Sequence, residues 1–333
     1  MRRRFSLLLL MALCANGCSL AADGELWKQK LALGEQLEEQ GQYQEAEKQL
    51  VAALEEARRS PTGERYLAFV MVSLATLYRD MGRFGEAERL GLEALTTAER
   101  TFGPEAPGLL KPLYYLGMLY MKRGQYAKAE LQCRRAVNIA DRHLQADDPQ
   151  RALALAGLAD VLTRRKRFEQ AEALYGKALA AYERSPGAQP TEHAFVANSL
   201  AVLYLAAGRR AESVTAIEKA IRVLEAAFGD QDPRLMRQLA NLGWLQTKLG
   251  DMAAARAALQ RAVAISEQEL CRADVLVPKI ISTYAALQRK AGHEREAKEL
   301  EQRSAAVRAQ QSRVDSSRHT VSIEDLLAGT RKK

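Results

Sequence analysis

The sequence predicts an all-helical solenoid, and three observations predict it. Leu74, Leu116, Leu158, Leu200 and Leu242 recur every 42 residues, with Tyr284 in the next place. Around them apolar residues follow helical spacing, so that Leu74, Leu77, Tyr78 and Met81 share one helix face. Eight residues after each of these positions stands a break, at Gly82, Gly124, Lys166, Gly208, Gly250 and Gly292. Repetition at a fixed period, rather than length, sets the domain count, since 333 residues would otherwise suggest two globular units.

The first element, residues 1–21, reads as an export signal. Arg2, Arg3 and Arg4 form a positive start, and residues 5–13 an apolar run too short to span a bilayer. Two processing routes fit. Ser19, Leu20 and Ala21 suit ordinary cleavage after Ala21, while Ala15, Asn16, Gly17 and Cys18 resemble the bacterial lipobox, with cleavage before Cys18. That resemblance makes Cys18 the candidate lipidation site, and with Ser19 beside it implies the outer membrane. A third route is an uncleaved apolar start. The expected location is therefore exported: periplasmic, free or anchored through Cys18.

The second element is the repeat array, residues 25–304. Each helix pair opens on its key residue followed by a small one, as in Ala75, Gly117, Ala159, Ala201, Gly243 and Ala285. After the break, small residues return at Ala87, Ala129, Ala171, Ser213, Ala255 and Ala297, and again seven later. They let two helices approach closely while larger neighbours fill the gaps. A first copy, offset by one residue, holds Leu33, Gly34, Gly41, Tyr43, Ala46 and Ala53. One hairpin cannot bury its apolar face alone, so neighbours must stack. Segments rich in Gly, Pro and Asp, such as residues 102–107 and 228–233, separate the copies.

This pattern resembles tetratricopeptide repeats, with a period close to the kinesin-light-chain type. The match is carried by Leu74, Ala75, Leu77 and Tyr78, by residues 124–130 and by residues 228–233. Lys166 in place of a turn glycine, and Ser213 with Val214 in place of Ala-Glu, depart from it. The resemblance implies a right-handed superhelical solenoid of seven repeats whose first helices line a concave, peptide-binding face. By register that face holds Arg79, then Tyr114, Met118 and Lys122, with Asp160, Thr163 and Arg164 in the fourth copy. Asn198 and Val202 follow in the fifth, Asn241, Trp244 and Lys248 in the sixth, and Arg289 in the seventh. Phe195 lies one turn earlier. Asn198 and Asn241 resemble the paired asparagines of kinesin-light-chain-type repeats; they suit either the backbone of an extended peptide or partners within their own repeat. Tyr114 and Trp244 suit either a partner or the next repeat. Arg79, Lys122, Lys248 and Arg289 would give a basic lining suited to acidic or carboxylate-ended ligands.

The remaining residues, 305–333, read as a helix cap and a tail. The tail carries a short amphipathic stretch, residues 321–327, read as a docking element or a plain terminus. Cys133 falls on a packing position and is expected to be a buried thiol. No catalytic or metal-ligand spacing surrounds His143, His193, His293 or His319, and no phosphate or dinucleotide loop is present. The formal charge of +8 drops to about +5 without the leader and forms no basic stripe, which argues against nucleic acid. The expectation is thus a non-enzyme without cofactor, metal or small-molecule substrate, binding a protein or peptide as an envelope scaffold or adaptor. A periplasmic holding chaperone is the alternative, and a cytoplasmic regulator a further one if the leader stays.

Overall fold

The structure is a computed structural model that describes residues 26–39, 41–60, 63–185, 188–268 and 276–312. The leader with Cys18, Cys271 and the stretch 321–327 lie outside the described residues. The described chain is helical, with no strand. The first three helix pairs are α1 (Leu26–Glu39) and α2 (Tyr43–Arg59), α3 (Leu67–Asp80) and α4 (Phe84–Phe102), and α5 (Leu110–Lys122) and α6 (Tyr126–His143). The next two are α7 (Pro149–Arg164) with α8 (Phe168–Arg184) and α9 (Pro190–Ala206) with α10 (Arg210–Phe228). The array ends with α11 (Leu235–Leu249) and α12 (Met252–Ser266), then α13 (Leu276–Lys290) and α14 (Glu294–Ser312). Each helix packs on its chain neighbours, and most first helices also touch the first helix of the next pair. The result is a solenoid with one continuous apolar core.

Local chemistry sets the boundaries. α7 starts with Pro149 after Asp148, whose carboxylate accepts the Gln150 amide at 2.8 Å. Asp251 caps α12 in the same way, from Ala254 N at 3.0 Å. Within each pair the turn needs one left-handed residue. Glycine fills that place in every pair but the fourth, where Lys166 adopts φ 59°. A side chain there costs about 1–2 kcal/mol, partly offset by the backbone entropy that glycine loses. Lys166→Gly should therefore raise the unfolding free energy by about 0.5 kcal/mol, seen as a higher urea midpoint. An unchanged midpoint would mean the turn carries no strain.

The small residues do what their spacing implies. A Cβ on Gly117 would stand 2.5 Å from Cys133 Sγ, and one on Gly243 the same distance from Leu259 Cγ. Cys133 is a buried thiol, pushed by burial up to about 12. Between pairs, the key residue packs backwards: Leu116 lies against Gly91 of α4, and Tyr115 donates to the Ala75 carbonyl at 2.8 Å. Leu33 departs from this rule and is 43% exposed. Of its later counterparts, Leu74, Leu116, Leu158, Leu242 and Tyr284 are buried behind a preceding second helix, and α1 has none among the described residues.

An ion ladder laces successive pairs along the turns. Arg83 reaches Glu47 at 2.7 Å, Arg123 reaches Glu88, Arg165 and Arg167 share Glu130, and Arg209 reaches Glu172 at 2.5 Å. The Arg209 guanidinium holds the Glu172 carboxyl below the usual range. At the next junction both members are gone: Val214 stands in the Glu place and Asp251 in the Arg place. There, too, the contact between first helices thins, between α9 and α11.

Candidate binding groove

A cavity of about 600 Å³ opens on the face formed by the first helices, from α5 to α13. Its walls follow from the thinned junction between α9 and α11. Asn241 Nδ2 donates to Asn198 Oδ1 at 3.1 Å across that junction. The bond leaves both amide N–H groups of Asn198, and one N–H with the carbonyl oxygen of Asn241, for a ligand. One turn before Asn241, Gln238 is only 8% exposed, lines the cavity, and its Oε1 has no hydrogen-bond partner. Such a group costs about 1–3 kcal/mol unless something donates to it.

Apolar walls come from Met118 and Met121 of α5, Phe195 and Val202 of α9, and Ile280 of α13. Trp244 packs partly into the core and keeps one side on the cavity, with the Lys248 ammonium 5.7 Å from its ring centre. The floor holds Asp160. Burial pushes its carboxyl up to about 6, opposed by hydrogen bonds from the Tyr175 and Ser199 hydroxyls and by the Arg164 charge. The fully buried Tyr175 is thereby aimed at Asp160 from α8. Arg164, Arg237 and Lys279 complete the charged lining, so three cations face one carboxylate.

Of the residues expected on this face, Met118, Asp160, Thr163, Arg164, Phe195, Asn198, Val202, Asn241 and Trp244 meet at the cavity. The expected basic lining does not. Arg79 is held by Asp80 at 2.9 Å, and the same carboxylate takes Lys122 at 3.5 Å. Arg289 turns to Glu301 on its own second helix at 2.6 Å. Tyr114 packs over Gly157 of the next pair, where burial and the nearby Asp160 raise its phenol. Lys248 is exposed beyond Trp244. Two of the three cations that line the cavity, Arg237 and Lys279, were missed, although they repeat the place of Phe195 at 42-residue steps.

The tetratricopeptide repeat family model matches residues 29–100, 66–142, 108–184 and 192–268, more than half of the chain. The chain belongs to the tetratricopeptide repeat family. Among curated proteins none matches it in sequence. Solved structures share the tetratricopeptide fold. A Rap protein complexed with competence and sporulation factor is 14% identical, with TM-score 0.59 over 93% of this chain and 81% of that one. Repeats of a putative kinesin light chain from Podosopora anserina are 22% identical, with TM-score 0.51 over 61% and 95%. The type IV pilus biogenesis factor PilW is 17% identical, with TM-score 0.51 over 72% and 93%. At these identities the likeness is one of fold.

Proposed function

We propose that this tetratricopeptide chain is an interaction scaffold or adaptor of the bacterial cell envelope that holds an extended peptide segment in the cavity between α5 and α13. The observation that carries this is the set of amide donors and acceptors left open on Gln238, Asn198 and Asn241 beside apolar walls. An extended backbone offers alternating donors and acceptors to such amides, and its side chains offer apolar surface to Trp244, Phe195 and Met121. The Rap protein of similar fold, crystallised with its factor, supports the reading. Export to the periplasm, with Cys18 as an outer-membrane anchor, rests on the leader sequence. Intact mass of the chain from native membranes tests that part, and an uncut Met1 start sinks it.

The binding part is tested by selecting peptides from a random library on the full chain and titrating them by fluorescence anisotropy. One saturable site per chain is expected. Trp244→Ala should weaken selected peptides about 30-fold, in line with about 2 kcal/mol for a buried aromatic anchor. Asn198→Ala with Asn241→Ala should cost about tenfold, as does about 1.4 kcal/mol. Equal affinity for all three proteins would place binding elsewhere, and many weak peptides with no loss on substitution would favour a holding chaperone.

A further inference from the structure

The cavity has a charge with nothing to meet it. Arg237 lies on its rim, exposed, and forms no ion pair or side-chain hydrogen bond among the described residues. The ladder pairs Arg83 and Arg209 with carboxylates, whereas the open guanidinium of Arg237 beside an apolar wall asks for an occupant that is apolar and acidic at once. The chain carries such a segment. In residues 321–327, Ile323, Leu326 and Leu327 stand at i, i+3 and i+4, with Glu324 and Asp325 between them. Ser322 with Asp325 also fits a helix-start pair ahead of Leu326 and Leu327. Arg318 and Arg331 flank the stretch without entering it.

Its reach is sufficient. α14 runs antiparallel to α13, and Ser304 donates to the Pro278 carbonyl at 2.8 Å, beside the turn of α13 that supplies Leu276, Lys279 and Ile280 to the cavity. From the end of α14 at Ser312, residues 313–320 span up to about 26 Å when extended. We propose that residues 321–327 of this same chain occupy the cavity as a tethered ligand, with Glu324 and Asp325 on Arg237 and the apolar residues against Phe195 and Ile280. The inference rests on the peptide-binding reading of this groove and adds that a partner must displace the tail and resemble it.

The test uses the full chain and a labelled synthetic peptide of residues 318–330. A tail-disabled chain, Ile323→Asp with Leu326→Asp, leaves every cavity residue intact and should bind the peptide saturably. The wild-type chain should bind it at least tenfold more weakly, because a tether of this length gives an effective concentration on the order of millimolar. Adding Arg237→Glu to the tail-disabled chain should weaken the peptide about tenfold, and a peptide with Glu324→Lys and Asp325→Lys should recover that loss. Equal binding to wild-type and tail-disabled chains overturns the proposal, as does a peptide that binds neither. Competition that grows with protein concentration would seat the tail of a second copy instead and overturn docking within one chain. If library peptides bind the tail-disabled chain while the tail peptide does not, the groove reading stands and this one falls.

Discussion

Replacing Leu116 with Ala is expected to cost about 3 kcal/mol and to split one urea transition into two. Leu116 is fully buried and packs on Gly91 of α4, so it belongs to the junction between the second and third pairs as much as to its own hairpin. Removing a buried leucine side chain leaves both a transfer loss and a void, and Leu→Ala substitutions span about 2–5 kcal/mol. In a globular core the loss is shared by the whole domain. A solenoid is a row of units held by nearest-neighbour contacts, so a loss at one junction uncouples the row there. Circular dichroism and Trp244 fluorescence, followed through the same urea series in a Trp27→Phe background, should then report different midpoints. Coincident curves would show that the junction is not the unit of cooperativity.

Asp160→Asn is expected to stabilise the chain at pH 7.5 and to leave it unchanged near pH 4. The folded carboxyl sits at about 6, above its ordinary value of about 3.9, so the folded state binds this proton more tightly than the unfolded one. Stability attached to Asp160 is therefore full at low pH and falls as pH rises from about 4 through 6. About two pH units would bound the loss near 3 kcal/mol, and the open side of the cavity reduces it to about 1.5 kcal/mol. Asparagine accepts from Tyr175 and Ser199 as the acid does and carries no charge to desolvate. Urea midpoints of the two proteins should converge at pH 4 and part above pH 6. Parallel curves across that range would show that Asp160 is charged at no cost.

The architecture was legible because it is written redundantly. A leucine, a small residue and a glycine recur in register, so a single departure such as Lys166 changes one turn angle and not the reading. The groove was legible where position alone decides: residues two before and two after the key place, such as Asn198 and Val202, do meet the cavity. It was illegible where side chains choose partners. Arg79 and Arg289 stand at face positions, yet each has a carboxylate in reach, on its own helix or across its hairpin, and takes it. The missed Arg237 and Lys279 show the converse. Following Phe195 forward by the repeat length leads to both, but only the thinned junction between α9 and α11 makes that earlier turn part of a cavity.

That junction has a mechanical side. Where arginine and glutamate lace neighbouring turns, the array behaves as a stiff rod. Between the fifth and sixth pairs the lacing along the turns stops, with Val214 and Asp251 in its place; the second helices stay tied by Arg261 on Glu225 at 2.5 Å, while on the first-helix side Asn241 donates to Asn198. A load that opens the array on its concave side meets, at this junction, one amide bond between first helices, while Arg261 and Glu225 hold the second helices together. Because the cavity straddles the same seam, whatever fills it acts as a splint, and opening that side and emptying the cavity become one event.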